Sequence, residues 1–417
     1  MRLTRSVPGK GLDIQIGFLF ISSVTGYALA YIYLVAMGRM LGPEAFGILS
    51  ALHAIFYITC VVGQALRQAI ATIVAEVKVK QGEQAAIGLF IRQGFKLSLL
   101  CLIPCILMLI TLRWVADFFH MESTGPVIIL AFSLFTALVL DIILGLQQGL
   151  QNFDNLGVTG YLVNQAIKLI AGVLLVWLGW HLSGAVAALL LSTGIASIVG
   201  IILQSQHLAG GIHHKYSGRA HIRPILVPTI ILAFFLAMPT SIDVMLVTHF
   251  FGGKEAGLYA AVATLGKVVV FLPMAVSFVL LPRATENHYL GQGTRDLLIK
   301  SLLITLFLSG VVVIACISLP GLIIRVFFSE VYLGGQAIIG LYAVAMLFFS
   351  LNVVLMHYSL AVRNLWLMLL ADAITLAQIV AMLFWHDSVE QVIWIIFWGN
   401  LLILAISLPV LFKARLR

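Results

Sequence analysis

Long apolar runs, each roughly 20 to 27 residues, recur along the chain with brief polar, glycine- or proline-containing junctions between them. None shows the strict apolar–polar alternation of a strand, so each predicts a helix. In order they occupy 14–38, 45–70, 88–112, 126–150, 155–179 and 183–205, then 224–250, 256–281, 296–320, 335–360, 363–385 and 389–412. Pro43, Gly82, Pro126, Gly157, Gly184, Pro224 and Gly253 punctuate the junctions. The expected fold is an all-α polytopic membrane protein with twelve transmembrane helices.

The pattern repeats. Gly38–Leu52, GRMLGPEAFGILSAL, is echoed by Thr248–Val262, THFFGGKEAGLYAAV. An offset of 210 residues places Gly42 on Gly252, Gly47 on Gly257, Ala51 on Ala261 and Glu76 on Glu286. Six helices per half is an even number, so both halves start on the same side of the membrane. The repeats are then parallel, related by an axis along the membrane normal. The expected organisation is a six-helix lobe over 1–205, a linker over 206–223 and a second six-helix lobe over 224–417. The linker, QHLAGGIHHKYSGRAHIR, carries His207, His213, His214 and His221 without an accompanying carboxylate or cysteine, so it predicts a solvated connection and no metal site.

Composition gives the helices their solvent. Hydrophobic residues make up 62% of the chain and charged residues 10%. A soluble domain carries about 25% charged residues. The surface must therefore face lipid, where only helices or closed barrels satisfy the backbone. The net charge of +8 is explained by its distribution rather than by nucleic acid. On the side of the N-terminus lie Arg2, Arg5, Lys10, Lys78, Lys80, Lys215, Arg219, Arg223, Arg283, Arg295, Arg363, Lys413, Arg415 and Arg417; opposite lie only Arg39, Arg113, Lys254 and Arg325. This bias puts both termini in the cytoplasm. The first apolar stretch is too long for a signal-peptide core and is expected as an uncleaved helix. Cys60, Cys101, Cys105 and Cys316 all fall inside apolar helices, as packing residues.

Against this background six ionisable residues stand out within the spans: Arg67, Asp141, Lys168, Asp243, Lys267 and Asp372. Each costs roughly 2.5 to 3.5 kcal/mol at a helix centre, so they should pair or face a wet cavity. His53, Tyr57, Cys60, Gln64 and Arg67 share one helical face, as do Tyr161, Asn164, Lys168 and Gly172. Gly257, Ala260, Thr264 and Lys267 form a small-residue track ending in a cation, and Asp141 joins Gly145 and Gln148. Two structural pairs are expected as alternatives to a transport role, Asp141 with Lys168 and Asp243 with Lys267. Pro239, four residues before Asp243, and Pro273, six after Lys267, predict bends next to buried charge and are the candidate gates.

Several segments then resemble a known family. GRMLGPEAFGILSAL is similar to the signature after the first helix of polysaccharide transport flippases, which move lipid-linked oligosaccharides. GQALRQAIATIVAE, with Arg67, Ala75 and Glu76, resembles the close of their second helix. GLQQGLQNFDNLG resembles their turn after the fourth helix, and GLYAAVATLGKVVVFLPMAVSFVLLPRATE their eighth helix and its exit. The resemblance extends over nearly the whole chain. It implies membership of the multidrug, oligosaccharidyl-lipid and polysaccharide exporter superfamily, whose two six-helix lobes form a V open alternately to either side. The lipid II flippases of that superfamily add two helices for which this chain has no room, and they carry charge midway along a first helix that here reads SSVTGYALAYIY.

The implied function is a flippase for a polyprenyl-phosphate-linked glycan in the cytoplasmic membrane. Such a substrate needs cations for its anionic head. Lys168 and Lys267 are the expected contacts, Arg67 guards the cytoplasmic entry, and Gln64, Asn164 and Tyr57 complete the binding set. Asp141, Asp243 and Asp372 position those cations or carry a coupling H+ or Na+. No other cofactor, metal or nucleic acid is expected. The partners are the bilayer, the lipid-linked glycan and polysaccharide assembly enzymes, around a monomer. A cation-coupled multidrug or metabolite antiporter of the same superfamily is the alternative. An integral-membrane glycosyltransferase or polymerase is remote, because the outer loops are short and the longest offers only Arg113, Asp117, His120 and Glu122.

Overall fold

The computed structural model describes residues 10–211, 231–271, 284, 295–362 and 364–413. Every regular element among them is helical. Eight described helices are long and apolar enough to cross a membrane, or nine counting one bent pair as a span. That number is smaller than twelve because two of the eight are doubled and the predicted eighth span is only partly within the described residues. Helix α1, Lys10–Gln81, holds the first two predicted spans and is broken at Gly42, whose φ of 77° is non-helical. The stretch Phe153–Ser205 holds the fifth and sixth, broken at Gly179 (φ 90°) and His181 (φ 42°).

The third span is segmented into α2 (Glu83–Leu100), α3 (Leu102–Ile110) and α4 (Leu112–Phe118), and α5 (Gly125–Gly149) is the fourth. Helices α6 (Phe153–Leu156), α7 (Asn164–Leu175) and α8 (His181–Gly211) follow. The predicted linker opens inside α8, and its remainder lies outside the described residues. The seventh span is α9 (Ile231–Ala237) and α10 (Ile242–Phe250), bent by 43° across the segment that holds Pro239. The eighth begins as α11 (Gly253–Gly266) and α12 (Val268–Phe271); Pro273 lies outside the described residues. Helix α13 (Arg295–Ser318), the short α14 (Pro320–Phe327), α15 (Ile339–Ala361), α16 (Leu365–Phe384) and α17 (Val389–Lys413) complete the chain.

The chain divides into two compact units. The first comprises Met1–Met40, Thr59–Asp117 and Glu122–Leu226. Its core joins Ile70, Val74 and Val77 of α1 to Ala86 and Leu89 of α2 and to Leu138, Ile142 and Leu146 of α5. Glycine sets how closely α1 and α5 cross. A Cβ on Gly145 would lie 3.0 Å from the Arg67 carbonyl oxygen, and one on Gly149 would lie 2.6 Å from Val74 Cβ. Their i, i+4 spacing is the small-residue pattern that lets membrane helices approach.

The second unit comprises Leu41–Ile58, Phe118–Met121 and Val227–Arg417. It buries Tyr259, Tyr342, Met346 and Phe349, with Phe235 packed on Phe349 at 5.5 Å between ring centroids. The sequence echo has a structural counterpart here. Gly42 and Gly252 occupy equivalent repeat positions, and both take positive φ with an extended ψ (77°, 171° and 58°, −173°). L-residues rarely adopt that conformation, so the turn selects glycine twice. Phe46 packs on Phe328 at 5.4 Å in the same unit.

Candidate functional site

In the first unit, the charged groups gather where α1, α5 and α7 meet. Arg67 Nη1 lies 4.0 Å from Asp141 Oδ1. Gly63, one turn before Arg67, makes the approach of Asp141 feasible: a Cβ there would lie 2.1 Å from Asp141 Oδ2. Tyr161 and Tyr27 lie within electrostatic reach of Arg67, and their rings pack edge-on at 5.8 Å. Tyr161 sits in a π-helical turn, Gly157–Val163, that leads into α7, the helix carrying Asn164 and Lys168. Such wide turns collect at functional sites.

Lys168 is buried, and its Nζ stands 5.4 Å from the centroid of the Tyr33 ring. That is cation–π distance. Gly172 admits the ring, since a Cβ there would lie 2.6 Å from Tyr33 Cε2. The Tyr33 hydroxyl donates to the Ala185 carbonyl at 2.8 Å, which fixes the ring under the lysine. Cys60 lies within electrostatic reach of both Asp141 and Lys168. The expected Asp141–Lys168 pair is not formed. Arg67 takes the carboxylate instead, because Gly63 brings Asp141 onto the helix that bears the arginine. Lys168 makes no ion pair among the described residues.

The second unit holds a different arrangement. Asp243 is fully buried in the first turn of α10, where a helix N-terminus favours negative charge. Its Oδ2 accepts hydrogen bonds from the Tyr259 hydroxyl at 2.8 Å and the Tyr342 hydroxyl at 2.9 Å. The two rings meet edge-on at 5.7 Å. Oδ1 is buried without a hydrogen-bond partner. Lys267 is half-buried and within electrostatic reach of Asp243, yet the expected ion pair is absent. The phenols hold the carboxylate in its place.

Lys267 stands at the one-residue break between α11 and α12. The Ser309 hydroxyl donates to the Val269 carbonyl of α12 at 2.8 Å and lies 3.2 Å from the Ser350 hydroxyl. Asp372 on α16 is half-buried, with Oδ1 lacking a hydrogen-bond partner.

Gln64 is exposed, and Asn164 and Tyr57 are half-buried. Tyr57 belongs to the second unit and Gln64 and Arg67 to the first, so the helical face that unites them in sequence is divided between Ile58 and Thr59. The structure brings together Arg67, Asp141 and Lys168 in one unit, and Asp243 and Lys267 in the other. Tyr33, Tyr259 and Tyr342 are the functional neighbours that sequence reasoning overlooks. A signal for them exists: a tyrosine buried in a helix needs a partner for its hydroxyl.

The profile of a family described as polysaccharide biosynthesis protein matches residues 15–288. The chain belongs to that family. No curated protein matches the sequence. Solved structures match over nearly all of it. An inward-facing multidrug resistance MATE family transporter of the MOP superfamily aligns with a TM-score of 0.77 at 13% identity, covering 97% of this chain and 99% of its own. The lipid II flippase MurJ in an inward closed conformation aligns at 0.72 and 16% identity, covering 95% and 87%. A MOP superfamily transporter from Pyrococcus furiosus, whose binding pocket is described as having reverse polarity, aligns at 0.70 and 14%, covering 96% and 97%. At these identities the likeness establishes the fold, and the structures that share it are transporters and flippases.

Proposed function

We propose that this family member translocates a lipid-linked oligosaccharide across the cytoplasmic membrane by alternating access, supplying cell-surface polysaccharide synthesis. The observation that carries the reading is that Lys168 and Lys267, set within apolar helices, make no ion pair among the described residues. Each has a carboxylate in its own unit that is occupied by another partner: Asp141 by Arg67, and Asp243 by two tyrosines. A cation set among apolar helices and left without a carboxylate is costly unless something anionic completes it. A phosphate or pyrophosphate head does so, and an ammonium takes it as a point charge without demanding fork geometry.

The remaining residues take roles around that head. Arg67, paired with Asp141, guards the cytoplasmic entry. Gln64, Asn164 and Tyr57 offer hydrogen bonds to glycan hydroxyls. Asp372 has no hydrogen bond or ion pair among the described residues, so it carries the coupling H+ or Na+. The bend at Pro239 serves as a hinge, and Pro273 is the second proposed gating residue. The basic bias of one set of loops puts both termini in the cytoplasm. The protein works as a monomer beside the enzymes that assemble the glycan.

The test is reconstitution. Proteoliposomes holding the purified full chain are loaded with a fluorescent polyprenyl-pyrophosphate-linked oligosaccharide, and its exposure to an external quencher is followed. Time-dependent translocation supports the proposal. Transport of a cationic dye with no movement of the lipid-linked sugar contradicts it and favours the antiporter reading.

A further inference from the structure

The arrangement around Asp243 does more than bury a carboxylate. Tyr259, Tyr342 and Asp243 are each fully buried, and both phenols converge on a single oxygen, Oδ2. Hydrogen bonds to a charged group contribute about 1.5 to 3 kcal/mol each, so this pair is a strong restraint on the carboxylate. Tyr342 also touches the helix that bears the lysine. Its ring lies against Gly266, the residue before Lys267: a Cβ on Gly266 would be 2.3 Å from Tyr342 Cδ1. The ring therefore spans from the backbone beside Lys267 to the carboxylate of Asp243. Any larger residue at 266 would push it away.

The charge of Asp243 reaches Lys267, and Oδ1 is bare. With the phenols removed, Oδ2 would be an unpartnered buried acceptor, and the nearby ammonium is the group able to satisfy it. We infer that Tyr259 and Tyr342 are positioning residues that hold Asp243 away from Lys267 and so keep the lysine available to an anionic ligand. In this the inference rests on the proposed function, where Lys267 meets a phosphate-bearing head. The tyrosines act through the lysine and need not touch the substrate.

The experiment compares full-length wild type, Y259F/Y342F and Y259F/Y342F/D243N in nanodiscs. The readout is modification of Lys267 by reductive methylation, followed by mass spectrometry, which requires no substrate. An ion pair worth 1 to 2 kcal/mol slows modification by at least about five-fold. The expected result is that slowing in Y259F/Y342F and recovery to the wild-type rate with D243N, since asparagine keeps the shape and removes the charge. G266A, which displaces the Tyr342 ring, and Y342F alone are milder variants expected to move the rate in the same direction. Unchanged modification in the tyrosine variants overturns the inference, as does slowing that D243N does not relieve. Translocation of the lipid-linked sugar is measured on the same samples. If modification follows the expected pattern while even the wild type moves no lipid-linked sugar, the positioning role stands and the functional reading fails.

Discussion

Gly47 and Gly257, equivalent positions of the two repeats, meet backbone to backbone: a Cβ on Gly47 would lie 2.9 Å from the Gly257 nitrogen. The reverse contact is tighter still, since a Cβ on Gly257 would fall on the Pro43 carbonyl oxygen at 1.9 Å. The echo that reveals the repeat in sequence is thus also a helix crossing. Overpacking at such a site costs about 1 to 3 kcal/mol. G257A should lower the detergent melting temperature accordingly. G194A is the control, because nothing lies within 4 Å of a Cβ there and alanine favours the helix. Equal melting temperatures for the two variants would remove the crossing from the account.

Arg67 and Asp141 should behave as a unit. Leaving either charge alone at the α1–α5 crossing costs about 1 to 3 kcal/mol. R67Q and D141N should each destabilise the protein, and R67Q/D141N should lose less than their sum. A double-mutant cycle by thermal unfolding measures the coupling. Strict additivity would mean that the pair is incidental.

Ser309 should matter because its hydroxyl caps a carbonyl of α12. S309A removes the donor to the Val269 carbonyl and should cost about 1 to 2 kcal/mol in thermal unfolding. S309T keeps a hydroxyl and should cost less. Equal losses in the two variants would remove the hydrogen bond from the effect.

Asp372 should set the energy coupling. D372N is expected to abolish stimulation of transport by an imposed proton or sodium gradient while the protein remains folded. Retention of full stimulation would reassign the coupling to another carboxylate.

Much of this was legible in the chain, for identifiable reasons. Apolar run length predicts helices directly, because lipid leaves the backbone no alternative, and the predicted span 389–412 falls on α17 at Val389–Lys413. Gly42 and Gly252 could be read because positive φ selects glycine at both. Pro239 marks the bend between α9 and α10 because a proline has no N–H to give. Charge pairing was less legible. Helical spacing shows which residues share a face, but the neighbour across a crossing depends on how closely the helices approach. Gly63 decides that Asp141 meets Arg67 rather than Lys168. Tyr259 and Tyr342 lie on different helices, and only tertiary packing brings both onto Asp243.

The proposed role of Lys168 and Lys267, each without an ion pair in its own unit, is contact with an anionic head group. It is tested most directly by proteoliposome translocation of a defined polyprenyl-pyrophosphate-linked oligosaccharide by wild type, K168A/K267A and K168R/K267R, each shown to be folded. Two lost charge contacts of about 1.5 to 3 kcal/mol each predict a fall of at least 100-fold in K168A/K267A. Substantial activity should remain in K168R/K267R, where the charge is kept. Unimpaired translocation by K168A/K267A would contradict the account.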